Sequence, residues 1–154
     1  MNKLYLLLDY IIHVWYKCLP TMRDGVMLNK IVLHFLNGGI AKGSTLNLSF
    51  DNRLFHYTDK NTNEIILVDP RKLKGVFFVR SYDGNPGYQE RYDIERAGLG
   101  LRVMVTFKDG ETLIGYTPAR FQGGTGFFLF VPDANSNNER VFILKAATKE
   151  VLLS

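Results

Sequence analysis

A chain of 154 residues has room for one ordinary domain or two very small ones, and none for a barrel enzyme ringed by helices. Hydrophobic residues at 46% and charged residues at 22% are those of a globular chain that buries a core, which excludes disorder. A net charge of +4 admits an anionic partner without requiring one, and the lone Cys18 rules out an internal disulfide, fits a reducing, cytoplasmic compartment and, beside 3 histidines, leaves little for a soft metal.

Residues 4–19, LYLLLDYIIHVWYKCL, set Asp9, His13 and Lys17 four apart, so a short N-terminal helix would carry all of them on one stripe of an otherwise apolar surface. Asp9 interrupts the run short of the ~20 apolar residues of a spanning helix, so no stable membrane span is expected. The stretch 4–8 ahead of it is too short for a signal-peptide core. Pro20 ends the helix, and TMRDG connects onward. Residues 1–28 keep three readings: an apolar helix docked on the adjoining domain, a non-native upstream extension, since MLNKIVLHF from Met27 begins the periodic part directly, and a membrane-surface anchor.

Sliding the chain along itself reveals a repeat. Residues 31–45, IVLHFLNGGIAKGST, lie over residues 103–117, VMVTFKDGETLIGYT, at a constant offset of 72 (107 − 35), with Phe35 on Phe107, Gly38 on Gly110, Gly43 on Gly115 and Thr45 on Thr117. Alternation places Ile31, Leu33 and Phe35 on a core face and Lys30 and His34 on the other, a pattern that Val103, Val105 and Phe107 repeat. Asn37-Gly38 and Asp109-Gly110 predict two-residue type I′ hairpins. Gly43 and Gly115, inside the returning strands, predict the bend that curls a small sheet into a barrel. Residues 54–57 then lie over 127–130, the polar turns 59–64 and 133–139 correspond, 65–68 and 141–144 return as strands, and 76–78 and 151–153 close each unit. The expected fold is all-β: a tandem pair of small five-stranded barrels packed together over shared apolar surface, one at 29–79 and one at 101–154, with a linker at 80–100.

The segments IVLHFLNGGIAKG and VMVTFKDGETLIG resemble the first motif of the Sm-like branch of SH3-like barrels, including its bacterial RNA-chaperone version, over roughly residues 30–78 and 101–153. LVDPRK and ILKAAT stand where that chaperone has the Tyr-Lys-His of its RNA-binding pore, so the pocket chemistry is not carried over. A fused pair also ends in edges unlike those of a single barrel, which speaks against ring assembly. Together with FFVRSYDGNPGYQERYD and VPDANSNNERVFIL, about residues 30–154 resemble an uncharacterised family of bacterial domains that occur alone or appended to signalling proteins. That resemblance implies a bacterial origin and a signalling context, and it supplies no ligand.

The linker, RSYDGNPGYQERYDIERAGLG, interleaves Tyr82, Tyr88 and Tyr92 with Arg80, Arg91 and Arg96. Aromatics among arginines stack bases and grip phosphates; equally, the tyrosines can cover a barrel end while Asp83, Glu90, Asp93 and Glu95 pair with the arginines. Asp59-x-Asn61-x-Asn63 and Asp133-x-Asn135-x-Asn137 share the opening of a calcium loop, but Glu64 and Asn138 occupy its glycine position and Pro70 and Leu144 its closing glutamate, so polar hairpin turns are expected. His34 and His56 read as barrel-surface or rim residues, and residues 123–126, GGTG, read as a flexible loop with no helix behind it.

The expectation is a non-catalytic binding or regulatory module of bacterial signalling that docks a protein partner through exposed strand edges and the aromatic linker. Its candidate contact residues are Arg80, Tyr82, Asp83, Tyr88, Arg91, Tyr92 and Arg96, without metal or cofactor, and homodimerisation is a further expectation. RNA or single-stranded nucleic-acid binding is one alternative. A cyclic-dinucleotide receptor of the PilZ kind is another, although the Arg-x-x-x-Arg and Asp/Asn-x-Ser-x-x-Gly elements of such receptors are not found.

Overall fold

The computed structural model describes residues 28–46, 48, 51, 53–118 and 123–154. The expected N-terminal helix lies outside them. The strands are β1 (Asn29–Phe35), β2 (Ile40–Thr45), β3 (Phe55–Asp59), β4 (Ile65–Val68), β5 (Leu73–Val79), β6 (Leu101–Phe107), β7 (Thr112–Thr117), β8 (Gly126–Phe130), β9 (Asn138–Leu144) and β10 (Thr148–Leu153). They form one 10-stranded antiparallel sheet in the order β10-β6-β7-β8-β9-β5-β1-β2-β3-β4. The first copy thus runs β5-β1-β2-β3-β4 and the second β10-β6-β7-β8-β9, the same order written twice.

This open sheet replaces the pair of Sm-like barrels expected from the sequence. The physical reason is the seam between the copies. Strand β9 pairs with β5 through Gly75↔Ile143, Val76↔Phe142, Phe77↔Val141 and Phe78↔Arg140, so the copies share a backbone ladder instead of packing two finished surfaces together.

Alternation along the seam strands feeds two separate cores. Ile31, Leu33, Phe55, Tyr57, Val76 and Phe78 build one, to which β9 adds Phe142 and Leu144. Val103, Val105, Phe107, Phe127, Leu129, Val141 and Ile143 build the other, to which Val32, Phe77 and Val79 come from the first copy. Every residue of β5 is buried as a result, which is why LKGVFFV lacks the apolar–polar alternation of a strand with one wet face. The β1 face assigned to solvent is covered as well: Val32 is buried, and His34 stacks on Phe77 with ring centroids 4.0 Å apart. Burial lowers the His34 pKa.

Both Asx-Gly hairpins form where expected but with a different turn. Phe35 N–H donates to Gly39 O at 2.9 Å and Gly38 N–H to Phe35 O at 3.0 Å, while Phe107 donates to Glu111 O and Gly110 to Phe107 O at 2.8 and 3.0 Å. Only the glycines, at φ 87° and 92°, are left-handed. These are three-residue loops ending in a left-handed glycine, not type I′ turns. Asn37 Oδ1 and Asp109 Oδ1 accept the N–H two residues on, so their side chains hold the turn in place of a positive φ. Gly43 is needed for close approach: a Cβ there would lie 2.0 Å from Thr58 O, where β3 crosses β2.

Candidate functional site

The linker is pinned to the turn between β8 and β9. Arg80 N–H donates to Asn137 O at 2.9 Å, its Nε to Ser136 O at 3.0 Å, and its guanidinium lies 3.2 Å from Glu139 Oε1. Ser81 and Asn137 exchange two hydrogen bonds at 3.0 Å. Buried Asp133 accepts from the Tyr88 hydroxyl and, at 3.3 Å, from Arg91 N–H, while Ser136 Oγ donates to Glu90 Oε1 at 2.7 Å. The Tyr88 hydrogen bond holds the Asp133 carboxyl below the usual range and pushes the Tyr88 pKa up. Arg91 binds Asp93 at 2.9 Å, Arg96 reaches Pro132 O at 2.9 Å, and Tyr92 O accepts from Arg102 at 2.6 Å. Arg80, Tyr88, Arg91, Tyr92 and Arg96 are therefore all engaged in holding the linker and its surroundings in place.

Tyr82 and Asp83 lie apart from that cluster, over the first copy. The Tyr82 hydroxyl donates to Gly43 O at 2.6 Å, and burial raises its pKa. Lys30 and Lys60 Nζ lie 6.0 and 5.1 Å from its ring centroid, and Lys42 Nζ donates to Tyr82 O at 2.7 Å. The Asp83 carboxylate lies 3.9 Å from Lys60 Nζ, and Asp83 N–H donates to Ser81 Oγ at 3.2 Å. The structure thus divides the expected site in two. The basic partners of Tyr82 come from β1, β2 and the turn after β3, residues that sequence reasoning did not select; their signal was the placement of Lys30 and Val32 on one face of β1, the face on which Tyr82 packs.

The second copy also reaches back across the seam. Lys74, buried on β5, points its ammonium at Phe107 from 4.4 Å and binds Asp109 at 2.6 Å and also Glu111. Burial opposes its charge, but the hydrogen bonds to Asp109 and Glu111 outweigh burial and raise its pKa.

The sheet ends are chemically different from its middle. On β4, consecutive Ile65, Ile66 and Leu67 are 71%, 43% and 57% exposed; on β10, Leu152 and Leu153 are 42% and 72% exposed. Each strand has a ladder partner on one side only among the described residues. β4, sequence IILV, has none of the lysines, prolines or bulges that ordinarily blunt an edge. Its outer row of N–H and C=O groups and its apolar side chains are what an added strand requires. Among the described residues no group of three or more His, Cys, Asp or Glu side chains is placed to hold a metal, and no helix is long and apolar enough to cross a membrane.

Residues 27–154 match the model of a family of unknown function (DUF6982). No curated protein and no solved structure matches the chain.

Proposed function

The chain belongs to the family of unknown function DUF6982, and we propose that it is a non-catalytic docking module of bacterial signalling that accepts a strand of a protein partner on a sheet edge. The observation that carries this reading is the apolar, unblunted edge of β4, with Ile65, Ile66 and Leu67 exposed in succession. The arginines of the linker add support, because Arg80 and Arg91 are already paired with the carboxylates of Glu139 and Asp93. The signalling context rests on the resemblance to bacterial domains appended to signalling proteins, and a cytoplasmic setting on the lone cysteine. The test is capture of partners from host lysate by the tagged full chain and by Ile66→Lys. A partner held by the wild type and lost by the variant is expected; equal capture overturns the reading.

A second reading has its own observation, the half-buried Tyr82 ring among Lys30, Lys42 and Lys60. Ammonium groups around an aromatic face suit a single-stranded nucleic acid, whose affinity falls steeply with salt. Fluorescence anisotropy with a short single-stranded RNA at low salt tests it, with Lys42→Ala and Lys60→Ala expected to weaken binding; no binding at low salt removes it.

A further inference from the structure

Resting on the strand-docking reading, we propose that the partner is a second copy of the chain, whose β10 pairs with β4 in the register of the internal seam, so that chains join head to tail. The seam itself supplies the template. Each copy has the same strand order, so β4 is the first copy's counterpart of β9, and β10 is the second copy's counterpart of β5. The molecule already joins a strand of the β9 type to one of the β5 type once. It leaves one further strand of each type at its two ends.

The register carries over residue by residue. The structure shifts the expected alignment of 54–57 on 127–130 by one: Gly43 meets Tyr57 and Thr58 O as Gly115 meets Leu129 and Phe130 O, so Phe55 falls on Phe127. Within the copies, Phe55↔Val68 then corresponds to Phe127↔Ile143, and Leu33↔Val76 to Val105↔Val151. Val68 therefore stands for Ile143, and Val151 for Val76. The seam pairs Val76↔Phe142, Phe77↔Val141 and Phe78↔Arg140 translate into Val151 opposite Leu67, Leu152 opposite Ile66 and Leu153 opposite Ile65 of the next chain. The exposed apolar residues of the two edges fall opposite one another: Leu152 at 42% with Ile66 at 43%, and Leu153 at 72% with Ile65 at 71%. At the seam, the corresponding Phe77 and Val141 are 4% and 1% exposed.

The joint between chains lacks two features of the seam. Lys149 is the counterpart of Lys74, but opposite it the turn of the next chain offers Asn37 and Gly39 where the seam has Asp109 and Glu111. Glu150 stands where Gly75 runs close to Phe142 O. The intermolecular joint is accordingly the weaker of the two and is governed by concentration. Because it uses two different edges, it is heterologous, and repetition gives a ring or a filament according to the rotation at each step.

Sedimentation velocity of the full chain from micromolar to millimolar concentration, with native mass spectrometry of mixtures, tests the proposal. The wild type should rise in mass with concentration. Ile66→Lys and Leu152→Lys, both at exposed positions and checked for unchanged melting, should each lower the association constant by more than about tenfold. Mixed, they should form a dimer holding one of each, because one intact β4 then meets one intact β10. A wild type that stays monomeric throughout overturns the proposal, as does either variant dimerising alone, which would mean that like edges pair, or a mixture that does not associate. A monomeric wild type that still captures a partner lost on Ile66→Lys leaves the docking reading standing and removes the second copy as its partner.

Discussion

Strands β5 and β10 hold the same place in the two copies, each hydrogen-bonded on one side to the first strand of its copy. Their second sides differ. β5 is covered by β9 and is buried along its whole length, whereas β10, at the end of the sheet, is mostly exposed. Equivalent positions in a duplicated sequence have thus come under opposite demands: Phe77 is matched by Leu152, Gly75 by Glu150, and Lys74, which meets two carboxylates, by Lys149, whose counterpart turn carries none. What distinguishes them is the neighbour rather than the local sequence pattern.

The most severe challenge to this contrast is truncation at Phe77 and at Leu152. Phe77→Ala opens a cavity at the seam and should cost about 3–5 kcal/mol, whereas Leu152→Ala on the dilute monomer should stay within about 0.5 kcal/mol, both measured by urea denaturation. Similar losses at the two positions would mean that β10 is not an open edge. A smaller difference is expected from the lysines. Lys74→Met leaves Asp109 and Glu111 without their cation and should cost about 1–3 kcal/mol, and Lys149→Met should be nearly silent.

The smallest effect separates the two polar turns by pH. Asp133 is held below the usual carboxylate range first by the Tyr88 hydroxyl, and Asp59 first by the Thr62 N–H. A lowered folded-state pKa contributes stability that is complete above the unfolded value and disappears as pH falls through the folded one. The melting temperature should therefore hold down to about pH 4 and drop below it. Asp133→Asn should lower the melting temperature near neutrality and make the acid decline shallower. Asp59→Asn, whose turn meets the linker through the Lys60 side chain rather than through the carboxylate itself, should do so to a lesser degree; a larger effect at Asp59 would reverse the ranking of the turns.

The individual strands and hairpins were legible in the sequence, but their assembly into one open sheet instead of two barrels was not. The repeat at Phe35 and Phe107, the hairpins at Asn37-Gly38 and Asp109-Gly110, and the strands at 65–68 and 141–144 all come from local periodicity and turn chemistry, and all lie in the elements they predicted. How the copies meet was not legible, because the pairing of Phe77 with Val141 joins residues far apart in the chain and leaves no local signature. The unbroken apolar run of β5 was its trace: a strand wet on neither face must have a core on both sides. The same limit applies to the linker. Its tyrosines and arginines marked it as more than a tether, but Arg80 takes Glu139 on the neighbouring β9 and Arg96 takes Pro132 O ahead of that strand, partners distant in the chain that only the fold selects. The type I′ expectation failed for a local reason, since the Asn37 and Asp109 side chains cap the turn and remove the need for a second left-handed residue.

The exchange of side chains at the seam reaches beyond stability. Phe142 and Leu144 complete the interior of the first copy, and Val32, Phe77 and Val79 that of the second. Neither half owns a whole interior, so the pair is the smallest piece that recombination can move intact from one gene to another. A nick between 96 and 101 should leave two fragments that stay associated and melt as one.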